Sequence, residues 1–250
     1  MWSRLPVERS FHVHVPGTSG FRYTSHRRDG VGRELYWQGL GREATMIREF
    51  SSRCKRARVV FDIGANSGLF TLLACAVNSQ TKVVAFEPAP EVRRQLQSLV
   101  RENGFEDRCI VRPEAASNVN GNALLHIPNE SWTSSSLNPA GFHGLAGTPV
   151  EVRTATVDSI ASDYPSVDLM KIDVEGFEDV VLEGARETVA RCVPAIILEC
   201  NPDGPAAALN AFLRRNRYAC FLLAEQRTQV ESIDPVKSGK FHNWLCLPRE

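Results

Sequence analysis

The chain has 250 residues, with 29 Lys plus Arg against 29 Asp plus Glu, so no net field gathers nucleic acid or an anionic membrane. Its 43% hydrophobic and 23% charged content is that of a globular domain, and the length suits one α/β unit with a short extension. The seven cysteines are scattered, odd in number and without a C-x-x-C pair, which favours a reducing, cytoplasmic setting over a disulfide frame. The opening MWSRLPVERSFHVHV lacks the apolar core of a signal peptide, and no later stretch is long enough to span a bilayer, so no membrane role is expected.

Residues 1–57 read as an N-terminal extension. In FHVHV, Phe11, Val13 and Val15 share one face and His12 and His14 the other, the pattern of a short strand. An H-x-H pair can hold a metal, but no third ligand is evident and none is expected. GTSGFRYTSHRRDGVG reads as a loop, with Arg22, His26, Arg27 and Arg28 on a solvated surface. REATMIREFSSRC has helical spacing at Met46, Ile47 and Phe50.

From residue 58 strand and helix alternate, which predicts a parallel sheet covered on both faces, in a domain spanning 58–250. Val59 to Phe61 form a buried strand, and Leu69, Leu72, Leu73 and Ala76 then recur at helical intervals. KVVAFE (82–87) is a second strand ending in an acid. The helix after it carries Val92, Leu96, Leu99 and Val100 on one face. CIVRPEAAS (109–117), VDLMKIDVEG (167–176), PAIILEC (194–200), ACFLLA (219–224) and NWLCLP (243–248) read as further strands, with helices over EDVVLEGARETVARC and GPAAALNAFLRRNRY. NALLHI and VEVRTAT break the rhythm and predict an antiparallel insertion at about 118–155. Pro128 to Pro149 joins them, too long for a plain connection and carrying Trp132, Phe142 and His143, so it is expected to cover a site.

The turn between the first core strand and its helix is Gly64-Ala65-Asn66-Ser67-Gly68. Its two glycines permit backbone angles or close approach that a Cβ blocks, and the helix N-terminus behind it suits a polar ligand. A nicotinamide site would need G-x-G-x-x-G, with backbone against a pyrophosphate. Here one glycine is missing and Asp62 precedes the turn, a charge that would repel phosphate and suits a cofactor bearing positive charge, such as S-adenosylmethionine. A carboxylate capping the next helix is the alternative role for Asp62. Glu87 is placed to accept from a ribose diol.

In this order and spacing, VVFDIGANSGLFTLL, VVAFEPAPE, RPEAAS, TATVDSI, DLMKIDVEGFEDVVLEGARE and PAIILEC resemble the FkbM-type family of S-adenosylmethionine-dependent methyltransferases, over about residues 58–200. SSSL, Ser134 to Leu137, resembles a family loop element. The resemblance implies an α/β class I methyltransferase Rossmann-like fold. Its sheet would be mostly parallel and seven-stranded, with a reversed last strand and helices on both faces. It also implies O-methylation of a sugar or natural-product hydroxyl. Asp62, Gly64, Ala65, Asn66, Ser67 and Gly68 would line the methionine and ribose part of the cofactor, Glu87 would hold the ribose with Pro88 behind it, Ala115, Ala116 and Ser117 would border the adenine, and Asp173 would also touch the cofactor.

KIDVEG alternates Lys171, Asp173 and Glu175 on one face of a strand whose carboxyl end points to the ligand side of an open sheet. A hydroxyl acceptor needs its proton taken, so Asp173 is the first candidate base, Glu175 the second and His143 the third. A structural ion-pair cluster around Lys171 is the competing account of the trio. A nicotinamide-dependent reductase or a non-catalytic binding protein are the alternative functions, and the oligomeric state stays open.

Overall fold

Period-two alternation in short apolar strands decides the architecture, because it gives the central sheet two faces that must both be covered. The computed structural model describes residues 5–41, 43–129, 135–137, 147–239 and 242–249. Strands β1 (Arg9–Val13) and β2 (Phe21–Ser25) form an antiparallel hairpin, followed by helices α1 (Gly30–Gln38) and α2 (Ala44–Cys54). Then come β3 (Val59–Ile63), α3 (Leu69–Val77), β4 (Lys82–Phe86), α4 (Pro90–Glu102), β5 (Cys109–Arg112), β6 (Ala115–Ser117), β7 (Gly121–Pro128) and β8 (Gly147–Thr156). The rest is α5 (Val157–Ala161), β9 (Leu169–Ile172), α6 (Glu178–Glu183), α7 (Arg186–Cys192), β10 (Ala195–Glu199), α8 (Ala206–Arg215), β11 (Tyr218–Leu223), β12 (Arg227–Val230) and β13 (Asn243–Pro248).

Among the described residues the main sheet runs β12-β11-β13-β10-β9-β3-β4-β5. Neighbours from β10 to β5 pair in parallel, and β13 runs antiparallel between β10 and β11. On one face Val60, Val83, Ala85, Leu169 and Ile197 pack under α2, α3 and α4, together with Phe21, Tyr23 and Leu35 of the extension. On the other, Phe61, Ile63, Phe86, Met170, Ile172 and Leu198 pack under α5 to α8. The extension therefore shares the core of the domain. A second sheet, β6-β8-β7, rests on α4 through Ala115, Leu125 and Val152 against Ala89 and Val92.

Five details depart from the sequence reading. The stretch read as a loop forms β2, where Phe21, Tyr23 and Ser25 alternate inward, and α1, capped by the Asp29 side chain accepting from Gly32 N. The strand expected over 109–117 is two strands in different sheets, since Pro113 lacks the N–H that would continue the ladder. The helix expected after Gly176 is also two. Gly184 lies over the Ser117 carbonyl oxygen, and Asp158 of α5 caps the restart by accepting from Glu187 N at 3.1 Å and Thr188 N at 2.7 Å. Among the described residues the main sheet has eight strands where the resemblance implies seven, because β12 adds an antiparallel edge. Finally β9 stops at Ile172, so the alternation expected through Glu175 does not persist: Glu175 (φ 54) and Gly176 (φ 88) turn into the left-handed region.

Candidate functional site

A cavity of about 380 Å³ opens at the carboxyl ends of β3, β4, β9 and β10. Its floor is the turn after β3. Gly64 there has φ +76, and a Cβ would collide with the Asp173 carbonyl oxygen, so glycine lets the ends of β3 and β9 close together. The turn is tied to β4 by Gly64 N and Ala65 N, which donate to Phe86 O at 3.1 and 3.0 Å. Asn66, at φ 50, donates its backbone N–H to Glu87 Oε2 at 2.8 Å. The other Glu87 oxygen accepts from Ala89 N at 2.9 Å. Burial pushes the Glu87 carboxyl up to about 7 despite these two donors.

Gly64, Ala65, Asn66, Glu87, Pro88, Ala115, Ala116, Asp173 and Glu175 all line this cavity, so the structure brings these expected site residues together. Four expected cofactor residues stand behind the lining. Gly68 (φ +101) packs against Leu96, and the Ser117 carbonyl sits under Gly184. Ser67 is fully buried among Tyr23 and Asp29. Asp62 is buried at 1% exposure, sits opposite Lys171 in the β3–β9 register, and accepts from Thr71 Oγ1 at 2.6 Å while its Oδ1 has no hydrogen-bond partner among the described residues. Burial raises the Asp62 carboxyl, against the pull of Lys171.

Lys171 organises the β9 end. Its Nζ donates to Asp173 Oδ2 at 3.0 Å and lies 5.1 Å from the centre of the Phe70 ring. Burial alone would lower the ammonium, but Asp173 and Asp62 hold it above the usual lysine range. The ion pair considered from sequence is thus present, with Asp173 still partly exposed at the cavity. Burial, then Asp173 and Glu178, push Glu175 up to about 8. His143, Trp132, Phe142 and Ser134 lie outside the described residues. Of the expected cover, Ser135 and Leu137 line the cavity and Ser136 Oγ donates to Glu175 O at 2.8 Å.

The sequence reading missed several lining residues. Glu199, at the end of β10, faces Asp173, which together with burial and Glu175 pushes it up to about 9. Its position at a strand's carboxyl end was a usable signal, since ligands in open sheets sit there. Arg33 and Glu34 reach the cavity from α1, Leu40 from the 3-10 turn Gly39–Gly41 that follows it, and Glu43 from the N-cap of α2. Among the described lining residues acidic side chains therefore outnumber basic ones: Glu34, Glu43, Glu87, Asp173, Glu175 and Glu199 against Arg33 and Lys171.

A mostly parallel sheet in which β13 and the edge strand β12 run reversed, with a glycine turn feeding a cavity at the strand ends, defines a Rossmann-like α/β domain of the methyltransferase type. A solved structure described as a SAM-dependent methyltransferase from Agrobacterium tumefaciens shares the fold, with TM-score 0.53 over 99% of this chain and 72% of that one at 10% identity. Residues 62–220 match the family model of the methyltransferase FkbM domain, and the chain belongs to that family. The 31-O-demethyl-FK506 methyltransferase FkbM of Streptomyces tacrolimicus is 29% identical, over 80% of this chain and 87% of its own. Methyltransferase sdnD of Sordaria araneosa is 29% identical over 62% and 71% respectively.

Proposed function

We propose that this chain transfers a methyl group from S-adenosylmethionine to a hydroxyl of a small sugar or natural-product acceptor. The observation that carries the reading is the cavity itself: a glycine turn, the buried Glu87 carboxyl anchored to that turn and a surplus of acidic side chains meet at the carboxyl ends of the central strands. A lining rich in acids fits the cofactor, whose positive ammonium and sulfonium favour their ionised form, and disfavours a pyrophosphate. A relative named for a 31-O-demethyl substrate supports oxygen as the nucleophile. A reducing, cytoplasmic setting belongs to the same proposal, supported by seven cysteines that are all free thiols.

When bound, S-adenosylmethionine supplies a methyl group on a sulfonium leaving group, so the protein's task is alignment and proton removal. In this reading Ala65, Asn66 and Glu87 hold the nucleoside side, with Ala115 and Ala116 along the adenine. Asp62 acts from behind the lining, as the counter-charge that keeps Lys171 protonated and Lys171 in turn fixes Asp173. Asp173 accepts or orients the acceptor hydroxyl proton, and Glu175 and Glu199 bind neighbouring hydroxyls. Ser135 and Leu137 wall the acceptor side.

Calorimetry should show binding of S-adenosylmethionine and S-adenosylhomocysteine and none of NADPH; a folded protein that binds neither sulfur ligand sinks the proposal. Labelled methyl transfer into a panel of sugars and polyketide alcohols then reads the chemistry. Asp173→Asn should lower turnover by about 10²–10⁴-fold while leaving cofactor affinity little changed. A fully active Asp173→Asn enzyme moves the base to another carboxylate.

A further inference from the structure

The extension touches the glycine turn through one buried polar cluster. Tyr23 Oη lies 2.9 Å from Asp29 Oδ2 and 2.7 Å from Ser67 Oγ, and Ser67 Oγ lies 2.9 Å from Asp29 Oδ1. All three side chains are buried to within 1%. Such a ring of three oxygen contacts needs three hydrogens, and two hydroxyls supply only two. A proton on Asp29 completes it: Asp29 donates to Tyr23, Tyr23 to Ser67, and Ser67 back to Asp29. Burial independently raises the Asp29 carboxyl, in the same direction. All three groups are buried, so a missing hydroxyl leaves a partner unsatisfied.

The cluster has one outlet toward the cavity and one toward α1. Ser67 follows Asn66, which is held in a left-handed conformation with its N–H on Glu87, and Ser67 N itself donates to Asn66 Oδ1 at 2.7 Å. Asp29 also accepts from Gly32 N at 2.9 Å, fixing the start of the helix whose Gly30, Val31 and Glu34 wall the cavity. We infer that Tyr23 and Asp29 are positioning residues for the cofactor site, holding Ser67 and hence the Gly64–Gly68 turn in its binding shape. The extension is then a working part of the site, beyond its share of the core. The inference rests on the methyltransferase reading above.

The test is S-adenosylhomocysteine affinity by calorimetry on the full chain. Tyr23→Phe and Ser67→Ala, each lacking one hydroxyl, should bind about tenfold more weakly. The double variant should lose no more than the worse single, because one ring is broken once. Asp29→Asn, isosteric with the protonated acid, should retain affinity that Asp29→Ala loses; if Asp29→Ala does not fold, the two hydroxyl deletions decide. Folded Tyr23→Phe and Ser67→Ala proteins that bind like the parent, or losses that simply add, overturn the inference. A parent that fails to bind sinks the methyltransferase reading instead. Amide exchange at Asn66 to Gly68 in the ligand-free protein then decides: faster exchange in Tyr23→Phe at unchanged global stability supports the positioning role, and parental rates overturn it.

Discussion

Glu87 shows how a single carboxylate can serve two structures at once. Its oxygens each accept a backbone N–H, from Asn66 and Ala89, so it shapes the turn before any ligand arrives. Glu87→Ala removes both anchors and, on the proposed reading, the ribose acceptor, and hydrogen bonds to a charged group contribute about 1.5–3 kcal/mol. Affinity for S-adenosylhomocysteine should therefore fall roughly tenfold to a hundredfold. Glu87→Gln should be nearly as damaging, because its NH2 group must face one of two N–H donors. Calorimetry that finds Gln within about twofold of the parent would mean the carboxylate's anchoring role is minor.

At the scale of elements, much of the chain was legible because apolar periodicity and burial agree. Val59 to Phe61, the Leu69 helix and KVVAFE each carry a pattern that water alone enforces. Less legible were elements whose shape depends on a distant partner. RTQV forms β12 with no apolar signal, only because β11 offers an open edge. The Tyr23 strand was hidden by its polar alternate residues, and Glu199 joins the site from a strand distant in sequence from Asp173. Gly184 is a sharper case, since nothing local explains why the run over 178–192 breaks there. Its φ of −77 suits any residue, yet a Cβ would collide with the Ser117 carbonyl. Gly184→Ala should thus cost about 1–3 kcal/mol through overpacking alone. Urea unfolding measures it, and a neutral outcome would show that α6 and β6 can separate freely.

The molecule as a whole concentrates acids that hold their protons late. Burial leads the rise of Glu87 and Glu178 to about 7 and of Glu175 to about 8; Asp173 leads that of Glu199 to about 9, against a usual 4.5. The unfolded chain releases these protons near its ordinary carboxylate range, while the folded state keeps them until higher pH. Stability is therefore full below about pH 4.5 on this account and is lost as pH rises toward about 9. Lys171 does not offset the loss, because its raised value leaves it protonated in both states across that range. Melting temperature of the ligand-free protein should fall between about pH 5 and about 9, and Glu199→Gln should flatten the upper part of the slope. The effect per group is modest, since Glu175 and Glu199 are partly exposed and solvent screens them. S-adenosylmethionine carries a sulfonium that S-adenosylhomocysteine lacks, so its stabilising effect should gain on that of the neutral thioether as the carboxylates ionise. Melting curves with each ligand at both ends of the range measure that difference. A parent whose melting temperature is flat or rising to pH 9, with equal gains from both ligands, would mean that these carboxylates are ionised well below neutrality.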